Sequence, residues 1–196
     1  MKHPQAHAPL SAPMAFASTV SDLPCDFRPV EFRIKHATQA WERAGAFQLR
    51  RDVFCEEQGI FDGDDRDAID GHAHLLVALA CVGGMPEEVA GTVRIHLDDR
   101  GRWWGSRLAV RGDFRRHGSL GAALIRLAVC SASAIGCHTF LAHVQRQNVP
   151  LFRRLHWRAL EDVALRGRPH TLMRADLDAY PPFHDMSVGF VVRGRH

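Results

Sequence analysis

The stretch Val110–Ile125, VRGDFRRHGSLGAALI, constrains this chain more than any other. An apolar run ends at Val110, a short turn rich in arginine and glycine follows, and a helical apolar pattern opens at Leu120. A strand that turns into a helix in this way aims the helix's unpaired backbone N–H groups and its positive dipole end at one point, where an anion such as phosphate is stabilised. Gly118, Ser119, Gly121 and Ala122 are small enough for backbone to approach phosphate oxygens. Arg115, Arg116 and His117 stand at the mouth of the turn.

Two other segments carry patterns of their own. Downstream, VQRQNVPLFRRLHW (Val144–Trp157) places Asn148 ahead of a short amphipathic helix bearing Leu151 and Phe152. A side-chain amide can donate to and accept from other amides, or cap the helix. Upstream, LRRDVFCEEQG (Leu49–Gly59) precedes an acidic stretch and DGHAHLLVA, which reads as a strand.

Together the three segments resemble the GNAT family of acyl-CoA-dependent N-acyltransferases over Val30 to Tyr180. Val110, Asp113, Phe114, Arg115, Arg116 and Gly118 stand where the family has V-x-P-x-(Y/F)-R-x-x-G, with Gly112 in place of proline. The loop is one residue longer than usual and admits two registers. In one, Gly118 is the first loop glycine and Leu120 falls at the second; in the other, Ser119 replaces the first and Gly121 is the second. Asn148, Pro150, Leu151, Phe152, Leu155 and Trp157 match the family's late motif, with His156 at its glycine. The R-x-x-V-F-x-x-E-Q helix is similar to the branch found with nitrilase-containing bacterial gene clusters.

The resemblance implies an α/β fold with a mixed, mostly antiparallel sheet, splayed at a coenzyme A cleft and flanked by helices. It implies acetyl-CoA as co-substrate, held by Leu108, Ala109 and Val110 on the strand, by Arg115 to Ala122 at the diphosphate, and by Asn148, Leu151 and Phe152 along the pantetheine arm. The implied reaction is transfer of the acetyl group to the amine of a small molecule by direct attack in a ternary complex.

Composition sets limits. A chain of 196 residues with 46% hydrophobic and 24% charged residues suits one globular domain with a real core. The net charge of +3, without a basic run interleaved with aromatics, gives nucleic-acid binding little support. Five cysteines without C-x-x-C spacing fit a reducing cytoplasm. No stretch reaches the roughly 18 apolar residues of a membrane span. Residues 1–27 read as a mobile arm, 28–180 as the domain and 181–196 as a tail outside the core, which could exchange between protomers of a homodimer.

Periodicity predicts a first strand at Val30–Lys35, a helix from Thr38 or Ala46 through Gln58, and strands at Leu75–Val82, Val89–Leu97 and Trp103–Val110. A helix ending near Gly136, a strand at Thr139–Val144, a short helix at Pro150–Leu155 and a closing hairpin of Val163–Leu165 with Thr171–Leu177 complete the order.

Acyl transfer needs a base for the amine and a donor for the carbonyl oxygen. Glu57, His96, Asp98 and a bridging water are the candidates for the base. Glu57 alternatively pairs with Arg50 or Arg51 as a structural carboxylate. The late motif has Phe152 where relatives carry a tyrosine acid, and the chain's one tyrosine, Tyr180, lies outside the motifs. The expectation is therefore no tyrosine acid, or protonation through water, with His143 and Cys137 as lesser candidates. Asp62, Asp64, Asp65, Asp67 and Asp70 crowd into nine residues. Asp67 and Asp70, with Arg51 and Phe54, read as an entrance that gathers a cationic amine, or as partners of Arg50, Arg51 or Arg94. No metal is expected: calcium-loop register fails, and His72 with His74 lack further ligands at metal spacing. Two other functions compete. Acyl-homoserine lactone synthases share an R-x-x-(V/E)-F segment before D-x-x-D, echoed by Arg50, Phe54, Asp67 and Asp70, and a non-catalytic acyl-CoA sensor would fit Phe152.

Overall fold

The computed structural model describes residues 31–117 and 119–194. The residues read as a mobile arm, and Gly118 of the loop, lie outside that range. Its first half runs β1 (Glu31–His36), α1 (Ala40–Arg51) continued by a π turn (Asp52–Glu57), β2 (His74–Val82), β3 (Met85–Leu97) and β4 (Trp103–Val110). The second runs α2 (Leu120–Ala134), β5 (Phe140–Gln145), α3 (Val149–Arg154), β6 (Trp157–Leu165), β7 (Arg168–Ala175) and β8 (Phe190–Arg193).

The eight strands form one sheet in the order β6-β7-β5-β4-β3-β2-β1-β8. Every neighbouring pair is antiparallel apart from β4 and β5. Alternation along β2 shows how the sheet is covered. Leu76, Ala78 and Ala80 join the core cluster beneath α2, and Leu75, Val77 and Leu79 join a second cluster beneath α1. Glycine lets both helices come close. A Cβ at Gly45 of α1 would lie 2.7 Å from Val89, and one at Gly91 of β3 would meet Leu124 of α2 at 3.0 Å.

The sheet opens between β4 and β5. They pair only through Trp103 with Phe140, Trp104 with Leu141 and Gly105 with Ala142. Just beyond, Val93 of β3 faces two residues of β4, Arg107 and Leu108, because the register shifts between Thr92–Ala109 and Arg94–Ser106. Arg107 takes the left-handed backbone, φ 55°. A bulge of this kind bends and twists its strand.

Two expectations need correction. The tail past Tyr180 does not lie outside the core. Phe183 donates its backbone N–H to the Cys130 carbonyl (3.0 Å) and packs on the Phe190 ring, and β8 pairs with β1. The turn into β8 requires Gly189, since a Cβ there would sit 1.9 Å from the Ile34 carbonyl oxygen. The closing hairpin also begins earlier than Val163. Residues 158–162 of edge strand β6 are exposed, so no apolar alternation marks them.

Candidate active site

A cavity of about 550 Å³ passes through the gap between β4 and β5. It reaches Ile125 and Ala128 of α2, Phe152 of α3 and Trp157 on one side of the sheet. On the other it reaches Phe54 of the π turn, Phe61, His96 and Trp104. Past Gly105 and Ala142 the two strands no longer pair with each other, so their backbone groups along this edge face the gap.

At one end stands the turn before α2. Arg115 donates through Nε to the Val110 carbonyl (2.8 Å) and through both terminal nitrogens to Glu57 (2.6 Å each). Leu120 is 1% exposed and packs in the core, whereas a Cβ at Gly121 would meet nothing within 4 Å. Leu120 is thereby committed to the core, and Ser119 and Gly121 are the small residues described at the start of α2. Ser119 Oγ is buried and has no hydrogen-bond partner among the described residues. An orphaned hydroxyl, an open glycine and a helix start make a fit for phosphate oxygens. The side chains of Arg116 and His117 lie outside the described residues.

Asn148 lines the cavity as the first residue before α3, and its side chain does not cap the helix. The capping alternative is therefore not what occupies its amide. Leu108 and Phe152 also line the cavity, while Ala109 is buried beneath α1 and Leu151 packs at the edge of the core.

The candidate proton-transfer groups separate clearly. His96 lines the cavity, its Nδ1 is buried without a partner among the described residues, and burial, helped by Arg94 and His72, lowers its pKa. His143 lines the gap, stacks on Trp104 with centroids 5.1 Å apart, and is lowered by burial and by His170. Glu57 is outside the cavity lining. Its partner is Arg115, not Arg50 or Arg51 as the sequence suggested, and those hydrogen bonds lower its pKa. Asp98 accepts from Trp104 Nε1, Arg102 Nε and the backbone of Arg100 and Arg102. Desolvation opposes its ionisation, but these bonds prevail and hold the carboxyl well below the usual range. Tyr180 is buried, with Trp157 Nε1 donating to its hydroxyl (3.0 Å) and the hydroxyl donating to the Leu155 carbonyl. Cys137 is buried, which pushes its thiol up.

The acidic loop closes on arginines. Arg50, fully buried, donates through Nε to Asp65 (2.9 Å) and through its terminal nitrogens to Asp70 (2.6 and 3.0 Å). Arg94 pairs with Asp67 (2.6 Å) and Asp70 (2.9 Å), and donates through Nε to Ser106. Arg107 completes the network with Asp65 (2.8 Å) and Asp67 (3.1 Å). Asp67 lines the cavity; Asp70 and Arg51 do not, and Arg51 faces Glu56 at 4.0 Å.

Among the lining residues that sequence reasoning did not place in the site are Gln58, Phe61, Trp104, Arg107 and Arg166. Gln145 of β5 donates to the Gln58 side chain (3.0 Å) and Arg168 of β7 to its carbonyl, tying the π turn to the far side of the gap. The available signal was a charged residue inside an otherwise apolar strand, as at Arg107. Among the described residues no helix is long and apolar enough to cross a membrane, and no group of three or more His, Cys, Asp or Glu is placed to hold a metal.

A bulged strand, a sheet opened beside it and a helix start at the mouth define an acyltransferase-type cleft. Residues 36–157 match the Acetyltransferase (GNAT) family. A Bacillus subtilis (strain 168) protein named "Putative acetyltransferase BSU40680" is 29% identical over 149 residues, spanning 74% of this chain and 97% of that one. The crystal structure of a "putative N-acetyltransferase from Lactobacillus plantarum" superposes with a TM-score of 0.66 at 22% identity, over 74% of this chain and 98% of that one. Escherichia coli ElaA gives 0.62 at 18% identity, over 75% and 99%. At such identities the two structures establish the fold. The chain belongs to the GNAT acetyltransferase family, whose members generally use acetyl-CoA.

Proposed function

We propose that this chain moves an acetyl group from acetyl-CoA to the amine of a small molecule by direct attack in a ternary complex. The observation that carries the reading is the gap between β4 and β5, continuous with a cavity and adjoining the start of α2. Ser119, Gly121, Ala122 and Arg115, with Arg116, His117 and Gly118, would hold the diphosphate. Asn148, Leu151 and Phe152 would lie along the pantetheine arm, and the edge of β4 from Leu108 to Val110, unpaired with β5, would offer backbone donors.

Acetyl-CoA, when bound, supplies an acyl group activated as a thioester. Amide formation then requires that the amine lose a proton and that the departing sulfur be stabilised or protonated. His96 takes the amine proton, because a lowered pKa keeps its imidazole neutral near pH 7 and it lines the cavity. The departing thiolate takes its proton through water, because His143, which lines the gap, is also lowered by burial and is neutral near pH 7. Phe152 has no acidic hydrogen, and the Tyr180 hydroxyl is engaged elsewhere. Asp98 serves by fixing Trp104, the ring between the two imidazoles. Glu57 positions Arg115.

Calorimetry with acetyl-CoA, followed by thiol release in a screen of amines, tests the reading. A heat of binding and release with an accepted amine supports it. Absence of any heat with either acetyl-CoA or free coenzyme A overturns it, and binding without release from any amine favours the sensor alternative.

A further inference from the structure

Two arginines close on one phenyl ring inside the cavity. The Arg107 guanidinium carbon is 4.4 Å from the Phe61 ring centre and that of Arg166 is 4.2 Å from it, and all three residues line the cavity. Both arginines have a left-handed backbone, with φ 55° and 50°. Arg166 and Gly167 are the two residues joining Leu165 to Arg168 across the β6–β7 hairpin, and both have positive φ. Such a connection favours Asn-Gly, so a long side chain at its first position is locally the unfavourable choice. The compensation must come from what the side chain does.

The charges nearby are unequal. The charged residues lining the cavity are Arg94, Arg107, Arg166 and Asp67. Asp65, Asp67 and Asp70 are taken up by Arg50, Arg94 and Arg107, which leaves no carboxylate there to attract a cation. Arg166 makes no ion pair among the described residues; Phe61 orients it, and its donors remain available. A planar guanidinium braced on an aromatic face matches a carboxylate through two parallel N–H donors.

We infer that the acceptor is an amino-carboxylate, an amine carrying a free carboxylate as in an amino acid, and that Arg166 binds the carboxylate. This rests on the acetyl-transfer reading and replaces a cationic amine, gathered by aspartates, with a zwitterionic one. Phe61 and Arg107 set the direction in which Arg166 reaches, and the substrate amine is left toward His96.

The test compares L-amino acids with their carboxamides and decarboxylated amines as acceptors, by thiol release, in the wild type, Arg166→Asn and Arg166→Lys. Asn suits the turn, so the first variant retains the fold. The wild type is expected to favour the free carboxylate at least tenfold in kcat/KM, mainly through KM. Arg166→Asn should reduce that preference to within about twofold, Arg166→Lys should fall between, and acetyl-CoA affinity should not change. Equal turnover of acid and amide by the wild type, preference for amines without a carboxylate, or a preference that survives Arg166→Asn would overturn the inference. If no amine releases thiol, saturation-transfer NMR of the same acid and amide pairs reads the site directly, and equal signals overturn it. Failure to bind acetyl-CoA sinks the acetyl-transfer reading itself; a normal heat of binding with carboxylate-blind turnover sinks this inference alone.

Discussion

Arg115 holds Glu57 through two hydrogen bonds of 2.6 Å, and so joins the loop before α2 to the end of the π turn. Both side chains are more than 40% exposed, a setting in which an ion pair contributes about 0.2–1 kcal/mol. A diphosphate arriving at the loop must therefore compete with a weak partner. Glu57→Gln removes that competition and is expected to tighten acetyl-CoA binding by roughly two- to fivefold, the conversion of about 0.5–1 kcal/mol. Turnover should remain close to wild type, because Glu57 does not line the cavity. Calorimetry and steady-state rates check both; a collapse of kcat at unchanged affinity would restore Glu57 as the base.

His96 sets the acid limb of activity. Burial, Arg94 and His72 lower its pKa from 6.5, so the neutral, proton-accepting form prevails above that value. kcat/KM is expected to fall with decreasing pH through a midpoint below 6.5. His96→Gln should lower kcat/KM by about 10²- to 10⁴-fold, the range of a positioned acid or base, and abolish that limb. A variant with the limb intact would assign the titration to another group.

Much of this arrangement was legible in the chain because strong periodicity marked it. The apolar run of β2, the alternation of β3 and the small-residue turn into α2 read directly as a doubly covered sheet and an anion loop. Pairing partners were not legible, since they depend on contacts remote in sequence. Arg115 meets Glu57 across 58 positions, and Arg94 meets Asp67 across 27. The bulge at Arg107 was hidden for the same reason: it exists only in the register between β3 and β4. The strand β8 is four residues long and draws its burial from β1 and Phe183, so composition alone gave it no weight.

The buried network governs acid stability. Partial burial opposes ionisation of Asp70, but hydrogen bonds from Arg50 and from the Asp67 backbone, with the charge of Arg94, outweigh it and hold the carboxyl far below the usual range. Asp67 is lowered similarly, with burial opposed by Arg94 and Arg107. A carboxylate depressed in the folded state contributes stability above its unfolded pKa, near 3.8, and loses it as the pH falls toward the folded value. Urea midpoints are expected to decline modestly from pH 7 to 5, as His96 and His143, lowered by burial, take up protons on unfolding, and to decline further below about pH 4 as the aspartates do. Asp70→Asn should flatten that decline.

Arg50 makes the strongest stability prediction. It is fully buried against Asp65, which is 1% exposed, and removing one member of such a pair strands the other charge away from water. Arg50→Met is expected to cost about 3–5 kcal/mol at neutral pH, read from the urea transition. A loss under 1 kcal/mol would mean that water reaches Asp65 in the variant and that the network is less closed than its geometry.

Tyr180 separates structure from chemistry. Its hydroxyl accepts from Trp157 Nε1 and donates to the Leu155 carbonyl, and burial pushes its pKa up to about 12. A phenol so held does not give up a proton near neutral pH, and it does not line the cavity. Tyr180→Phe leaves both partners without their hydrogen bond, so the variant should lose about 1–3 kcal/mol of stability. Because Trp157 lines the cavity and packs against Phe152 at 5.0 Å, a small rise in KM for acetyl-CoA is expected as well. The pH profile of kcat should keep its shape. Disappearance of an alkaline limb in Tyr180→Phe, with folding intact, would make the phenol the proton donor that Phe152 cannot be, in place of water.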